Sequence, residues 1–294
     1  MSADQSDLAR AFEAERPHLL RVAYATLGSL GEAEDCVQEA WLRLRRVPDP
    51  AAVRDLRGWL TTTVGRLALD VLGSARARRE RYVGPWLPEP LVEPLAAEDP
   101  AERVTLDESV SMALLVMLER LSPAERTAFL LHDVFGLPFE QVAGVVGRTP
   151  AAVRQLASRA RRHVESGRPR FPPTAAEQRE LVEAFAAACG QGDLERLVGL
   201  LDPAVVWRAD GGGRVQARYP VETGAPEVAR LLLAFTSRPP RELRIATFNG
   251  SPGLVLRDAD GVLSVVAFSF DQGRITALDV VRNPDKLGTL GGAR

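Results

Sequence analysis

The chain has 294 residues, 46% of them hydrophobic, and a formal net charge of −2. That is enough apolar material for two or three globular domains, and it excludes a disordered or collagen-like chain. Two distant cysteines, Cys36 and Cys189, give no disulfide framework, and no apolar run reaches the ~18 residues a bilayer crossing needs.

The opening residues, SADQSDLARAFEAERPHLL, are acidic and amphipathic, without a basic n-region or an apolar h-region. No signal peptide and no membrane association are expected, and the chain reads as cytoplasmic. The first block, about residues 7–81, has helical periodicity throughout. Gly28-Ser29-Leu30-Gly31 marks a turn. In the EAEDCVQEAWLRLRR that follows, Val37, Trp41 and Leu44 recur at helical spacing, with Asp35, Gln38 and Glu39 opposite them. Two prolines break the pattern in VPDPAAVRD. RGWLTTTVGRLALDVLGSARARRE then reads as one helix ending in cations; Trp59 within it is left unassigned, a helical Trp being more often core than a DNA contact. Arg76, Arg78 and Arg79 track a helix end, which suits phosphate contacts better than base reading.

The next stretch, YVGPWLPEPL, is a stiff tether. Pro85, Pro88 and Pro90 fix φ and keep their neighbours extended, while Trp86 and Leu87 are apolar groups that a solvated spacer has no reason to carry. Residues 89–108 then hold seven acids against Arg103.

The second block, about 107–166, is sharply punctuated. Ser122-Pro123-Ala124-Glu125 is a capping box with proline at the first helical position; Gly136 ends that helix, Pro138 opens another, and Gly147 ends it in turn. Thr149-Pro150 starts a third helix, AAVRQLASRARRHV. Its Ala152, Val153, Leu156 and Ala160 form a packing side; Arg154, Gln155, Ser158, Arg159 and Arg162 point elsewhere. Short helices around a tight glycine turn fit a helix-turn-helix, whose last helix reads base edges and holds phosphates. Residues 148–170 carry seven arginines against Glu165, and residues 76–81 carry four against Glu80. Basic–acidic–basic alternation indicates two nucleic-acid contacts separated by a segment that DNA repels or that seeks a partner, although charge runs also serve simply to solvate helix faces.

The third block, about 175–282, opens with the capping box Thr174–Glu177 and two helices broken at Gly190–Asp193. After residue 203 the period drops towards two in AVVWRA, RELRIATF, GLVLRD, GVLSVVAFSF and RITALDVV, with Asn249-Gly250, Asp260-Gly261 and Gln272-Gly273 as turns. One helix is predicted near 225–235. This order implies an α+β domain with mostly antiparallel strands. A sheet curved round a helix leaves a mouth that can take a small ligand. The three histidines, His18, His132 and His163, all lie outside this block, and no paired carboxylates or nucleophile–base pattern is visible, so no catalytic residue, metal or cofactor is expected.

Taken together, these segments resemble bacterial sigma factors of the extracytoplasmic-function type. AEDCVQEAWLRL looks like the region 2 helix that binds the clamp helices of the RNA polymerase β′ subunit, which implies core-polymerase contacts at Asp35, Gln38 and Glu39. RGWLTTTVGRLALDVL looks like the helix that melts and holds the −10 element, implying DNA contacts at Arg57, Arg66, Arg76, Arg78 and Arg79. Family members often have Asn where Arg66 stands, so the detail of −10 recognition does not carry over there. LSPAERTAFLLHDVFGLPFEQVAGVVGRTPAAVRQLASRARR resembles region 4, which contacts the β flap and reads the −35 element. Arg148, Thr149, Arg154, Gln155, Ser158, Arg159 and Arg162 are the implied contacts.

WLPEPL, the Asp210–Gly213 run DGGG and the Asn283–Leu287 run NPDKL resemble signatures of members with a fused SnoaL-like, cone-shaped domain. That resemblance implies control from within the chain and no separate anti-sigma factor. Trp86, Leu87 and Pro88 would meet Asp210, Gly211, Gly212, Gly213 and Arg214 (Arg where Lys is usual) and Asn283, Pro284, Asp285, Lys286 and Leu287. Pro284 would present Lys286 towards the acidic linker. The expected architecture is two all-α sigma domains, 1–81 and 107–168, joined by a linker, 82–106, and followed by an α+β domain, 169–294. The alternative is a one-component helix-turn-helix regulator with a metabolite-binding domain, but such a repressor has no need of the DCVQEAW face.

Overall fold

The computed structural model describes residues 3–49, 53–79, 82–92, 110–169, 171–217, 221–236 and 240–291. They form two compact units. The first joins residues 1–80 with 117–167; the second joins 81–116 with 168–294, so the tether belongs with the C-terminal domain.

In the first unit, α1 (Ala3–Leu27) packs against α2 (Leu30–Arg45) and α3 (Leu56–Arg79). Ser29 caps α2 by accepting from the Glu32 N–H, and that helix buries Ala33, Cys36, Val37, Ala40 and Leu44. Phe12, Leu19, Val22, Leu60 and Val64 complete the core of this three-helix group. The Ser122–Glu125 capping box starts α5 (Pro123–Phe129), which continues as a π-helical turn over Leu130–Val134. Gly136 and Gly147 take left-handed φ of 73° and 69° on either side of α6 (Phe139–Val146), and α7 (Pro150–Gly167) follows. Val153, Leu156, Ala157, Ala160 and Val164 are the buried side of α7. This is the predicted helix-turn-helix.

The unit's two halves are joined closely. A Cβ on Gly65 of α3 would lie 3.0 Å from Leu131 and 3.6 Å from Val145 of α6, so glycine permits the approach. Arg126, only 1% exposed, ion-pairs with Glu119 and donates to the Ala25 carbonyl of α1 at 3.2 Å.

The second unit is α+β, as the sequence implies. α8 (Ala175–Gln191) and α9 (Leu194–Leu200) precede a six-stranded sheet in the order β2-β1-β6-β5-β4-β3. The strands are β1 (Leu201–Asp210), β2 (Glu222–Thr223), β3 (Glu242–Phe248), β4 (Ser251–Arg257), β5 (Leu263–Asp271) and β6 (Arg274–Val281), with α10 (Ala225–Thr236) after β2. Among the described residues only β1 and β6 pair in parallel. Alternation sends Val205, Trp207, Leu278, Val280, Phe268 and Leu254 to one face, which packs on Phe185 of α8 and on Val228 and Leu232 of α10. The other face carries Phe248, Val255, Val265 and Val281 and is covered by Leu87 of the tether and Leu287 near the C-terminus. Among the described residues no helix is long and apolar enough to cross a membrane.

Candidate functional site

The densest polar cluster lies in the second unit. Asp210, at the end of β1, is fully buried. Its Oδ1 accepts from the Tyr82 hydroxyl at 2.7 Å and the Gly212 N–H at 3.0 Å; Oδ2 accepts from the Leu87 N–H at 2.9 Å and Lys286 Nζ at 2.7 Å. All four acceptor positions of the carboxylate are filled. Lys286 also donates to the Leu87 carbonyl and lies 4.0 Å over the Trp86 ring. Lys286 thus meets the linker at Trp86 and Leu87, as the sequence reading aimed it, and pairs there with Asp210.

Asn283, 4% exposed, donates to the Tyr82 oxygen at 2.8 Å and caps the short 3-10 turn Pro284–Lys286 by accepting from Asp285. The glycines of the DGGG run allow close approach. Gly212 has φ 60° and a Cβ there would strike the Asn283 amide at 2.4 Å; Gly213 has φ 69° and faces Val83. Arg214 meets Asp285 at 3.3 Å with both side chains mostly exposed. Pro88 is buried beside Leu87. The three segments that the sequence singled out (the tether, the DGGG turn and the NPDKL tail) therefore converge on one carboxylate.

In the first unit, Arg154, Gln155, Ser158, Arg159 and Arg162 line one open depression on α7. Thr149 caps this helix by accepting from Ala152 at 3.3 Å; Arg148 is exposed beside it. Several of these cations have acidic neighbours. Arg159 meets Glu125 at 2.8 Å, Arg161 Nε meets Asp133 at 2.9 Å, and Arg154 lies 3.5 Å from Glu140 and 5.2 Å over the Phe139 ring. The hydrogen bond from Ser122, the Arg159 guanidinium and capping of α5 together lower the Glu125 pKa.

On α2, Asp35 and Gln38 are exposed, and Glu39 pairs with Arg43 at 3.1 Å. On α3, Arg66 donates to the Gly144 carbonyl of α6 at 2.6 Å, so its guanidinium is engaged by the helix-turn-helix. Arg57 donates to His18 Nδ1 at 3.2 Å and lies 3.7 Å from Glu15. The backbone of Arg76, Arg78 and Arg79 is the last turn of α3; their side chains lie outside the described residues. Burial raises the thiol pKa of Cys36 to about 11 and that of Cys189 to about 12, so both are unreactive as nucleophiles.

Sequence reasoning missed three residues. Tyr82 shares a proline-rich stretch with louder signals. Arg126 sits in a helix where an isolated arginine reads as solvated. Asn249 is hidden by its own turn motif, because Asn-Gly already has a sufficient explanation in a β-hairpin. Its 1% exposure and its bonds to Leu91 and Val110 have no sequence signal.

Family models for sigma-70 region 2 and sigma-70 region 4 match residues 11–79 and 111–164. The chain is 42% identical over 289 residues to the ECF RNA polymerase sigma factor SigJ of Mycobacterium tuberculosis, covering 94% of this chain and 91% of SigJ. It is 39% identical over 283 residues to the probable ECF RNA polymerase sigma factor SigI of the same organism, covering 95% and 94%. The crystal structure of M. tuberculosis SigJ superposes with a TM-score of 0.78 at 38% identity, over 95% of this chain and 98% of that one. Region 2 and region 4 thus fall on the two helical groups of the first unit, and the chain belongs to the extracytoplasmic-function RNA polymerase sigma factors, which direct transcription initiation.

Proposed function

We propose that the C-terminal α+β domain, read as SnoaL-like, controls this sigma factor from within the chain by holding the Tyr82–Val92 strip, in place of a separate anti-sigma factor. Asp210 carries the reading. A buried carboxylate is costly unless paired, and here its partners come from the strip (Tyr82, Leu87) and the tail (Lys286). The prolines reduce the entropy lost on docking, and Trp86 and Leu87 act as apolar anchors.

Within the sigma part, the Asp35, Gln38 and Glu39 face is assigned to the β′ clamp helices of core polymerase. Arg57, Arg66, Arg76, Arg78 and Arg79 are assigned to −10 DNA, and Arg148, Thr149, Arg154, Gln155, Ser158, Arg159 and Arg162 to the −35 element. No catalysis is assigned to the C-terminal domain. The test is in vitro transcription with core polymerase on a promoter selected by the intact chain from a random library. Trp86→Ala and Asp210→Asn should both lower activity. If both transcribe like the intact chain, the strip is only a spacer.

A further inference from the structure

Asn249 opens the β3–β4 hairpin with φ 49°, followed by Gly250 at 77°. An Asn-Gly pair accounts for that turn without any use of the side chain, and hairpin tips are ordinarily wet. This one is buried, and its amide is engaged at both ends. Oδ1 accepts from the Leu91 N–H at 3.0 Å and Nδ2 donates to the Val110 carbonyl at 3.3 Å. The backbone N–H adds a bond to the Leu91 carbonyl at 3.0 Å, and Val92 bridges Phe248 in antiparallel fashion. Leu91 offers a donor and Val110 an acceptor, so the partners fix which way the amide points.

Leu91 and Val110 bracket residues 92–109. The region 4 match begins at 111, and α4 (Met112–Leu118) starts two residues after Val110. Val116 of α4 packs against the same outer sheet face as Leu87 and Phe248. A flexible segment of that length would spread its ends by about 20–25 Å. Here the chain leaves the docked strip and returns to region 4 on two atoms of one side chain.

We infer that Asn249 is a positioning residue for promoter spacing: its amide holds Leu91 and Val110 together, fixes where the chain enters region 4, and so narrows the range of −10 to −35 separations the protein accepts. This rests on the docking reading above.

The test uses the full chain with core polymerase on selected promoters whose spacer is lengthened or shortened by one or two base pairs. Asn249→Asp tolerates the positive φ and keeps an acceptor for Leu91, but has no N–H for Val110. Asn249→Gly keeps the turn and loses both bonds. Both should flatten the spacer profile, Gly more than Asp, raising off-optimum activity relative to the optimum several-fold. An unchanged profile overturns the inference, and so does an equal loss at every spacer. Hydrogen exchange gives the second reading: Leu91 and the residues following Val110 should exchange faster in Asn249→Gly while β3 and β4 stay protected. Loss of protection in those strands too would make the role structural and overturn the inference. Trp86→Ala is run in parallel. If it flattens the profile and the Asn249 variants do not, only this inference fails; if neither does, the docking reading fails with it.

Discussion

Two joints in this molecule are built on different chemistry. In the first unit, region 2 meets region 4 through Gly65 against Leu131 and Val145, with Arg66 and Arg126 donating to the carbonyls of Gly144 and Ala25. In the second, the tether meets the sheet through a fully buried carboxylate and its lysine. Arg66 is solvent-exposed and recovers water when it gives up its carbonyl, so its bond is worth only about 0.5–3 kcal/mol net, and Arg126, though buried, keeps its Glu119 partner within region 4 when it gives up the Ala25 carbonyl. Parting the tether strips the buried carboxylate of its Tyr82 and Leu87 donors and takes the Leu87 carbonyl and the Trp86 ring from Lys286, several contacts at once. The first joint is therefore suited to parting and the second to holding, which fits helices that must reach DNA and a strip that must stay docked.

The largest effect should come from forbidding the first joint to part. Cysteines replacing Gly65 and Val145 stand close enough to bridge, since a Cβ at 65 lies 3.6 Å from Val145 Cγ1. The two native thiols are held protonated and will compete little. The oxidised protein should lose transcription and −10 single-strand binding, keep −35 duplex binding through the open α7 face, and recover on reduction. Equal transcription in oxidised and reduced forms would mean that the joint never needs to open.

Next in size is the second joint. Lys286→Met leaves Asp210 charged and unpaired in the interior, which costs about 3–5 kcal/mol. Pairing it with Asp210→Asn should recover part of that loss, and urea unfolding of the two variants measures the difference. Equal stability of wild type and Lys286→Met would show that the pair holds nothing.

The sequence made one side of this comparison far more legible than the other. Caps, glycine stops and 3.6-residue periodicity are local, so α5, α6 and α7 and their exposed arginines could be placed from the residues alone, and so could five of the six strands and their turns; the two-residue β2 has no period to read. The convergence of Trp86, Asp210 and Lys286 became readable through a family resemblance, since nothing local says that residues 87 and 286 meet. The Arg66–Gly144 bond was not legible at all: arginine on a helix looks the same whether it faces solvent, DNA or a carbonyl in another region. Asn249 was concealed for the opposite reason, a local signal so complete that it hid a long-range use.

A smaller effect is expected on the open face. Arg154 is mostly exposed and its neighbour Glu140 lies at 3.5 Å, a weak surface pair that DNA can displace. Arg154→Ala should cost about 1–3 kcal/mol at one −35 base and relax specificity there. Binding measured across single-base variants decides the matter: an equal loss on every sequence would make Arg154 a phosphate contact.

The smallest effect concerns pH and the first joint. His18 accepts from Arg57 at Nδ1 and is 3.0 Å from Thr61 Oγ1 at Nε2, which leaves the neutral ring with its proton on Nε2; its edge meets Phe135 of region 4 at 5.9 Å. A protonated ring would lose its acceptor and face Arg57 and Arg21. Burial first, then those two cations, lowers its pKa from 6.5 to about 4. The unfolded chain therefore takes up a proton near pH 6.5 and the folded chain only near 4, so between these values the unfolded state binds more protons. Stability should be full above pH 6.5 and fall as pH drops towards 4. Carboxylates as a class also titrate towards the lower end, so the discriminating quantity is the difference from His18→Gln, whose amide can still donate and accept. Melting temperature against pH should fall less steeply between 6.5 and 4 in that variant. Parallel curves for the two proteins would remove His18 from the account and leave the joint insensitive to pH through this residue.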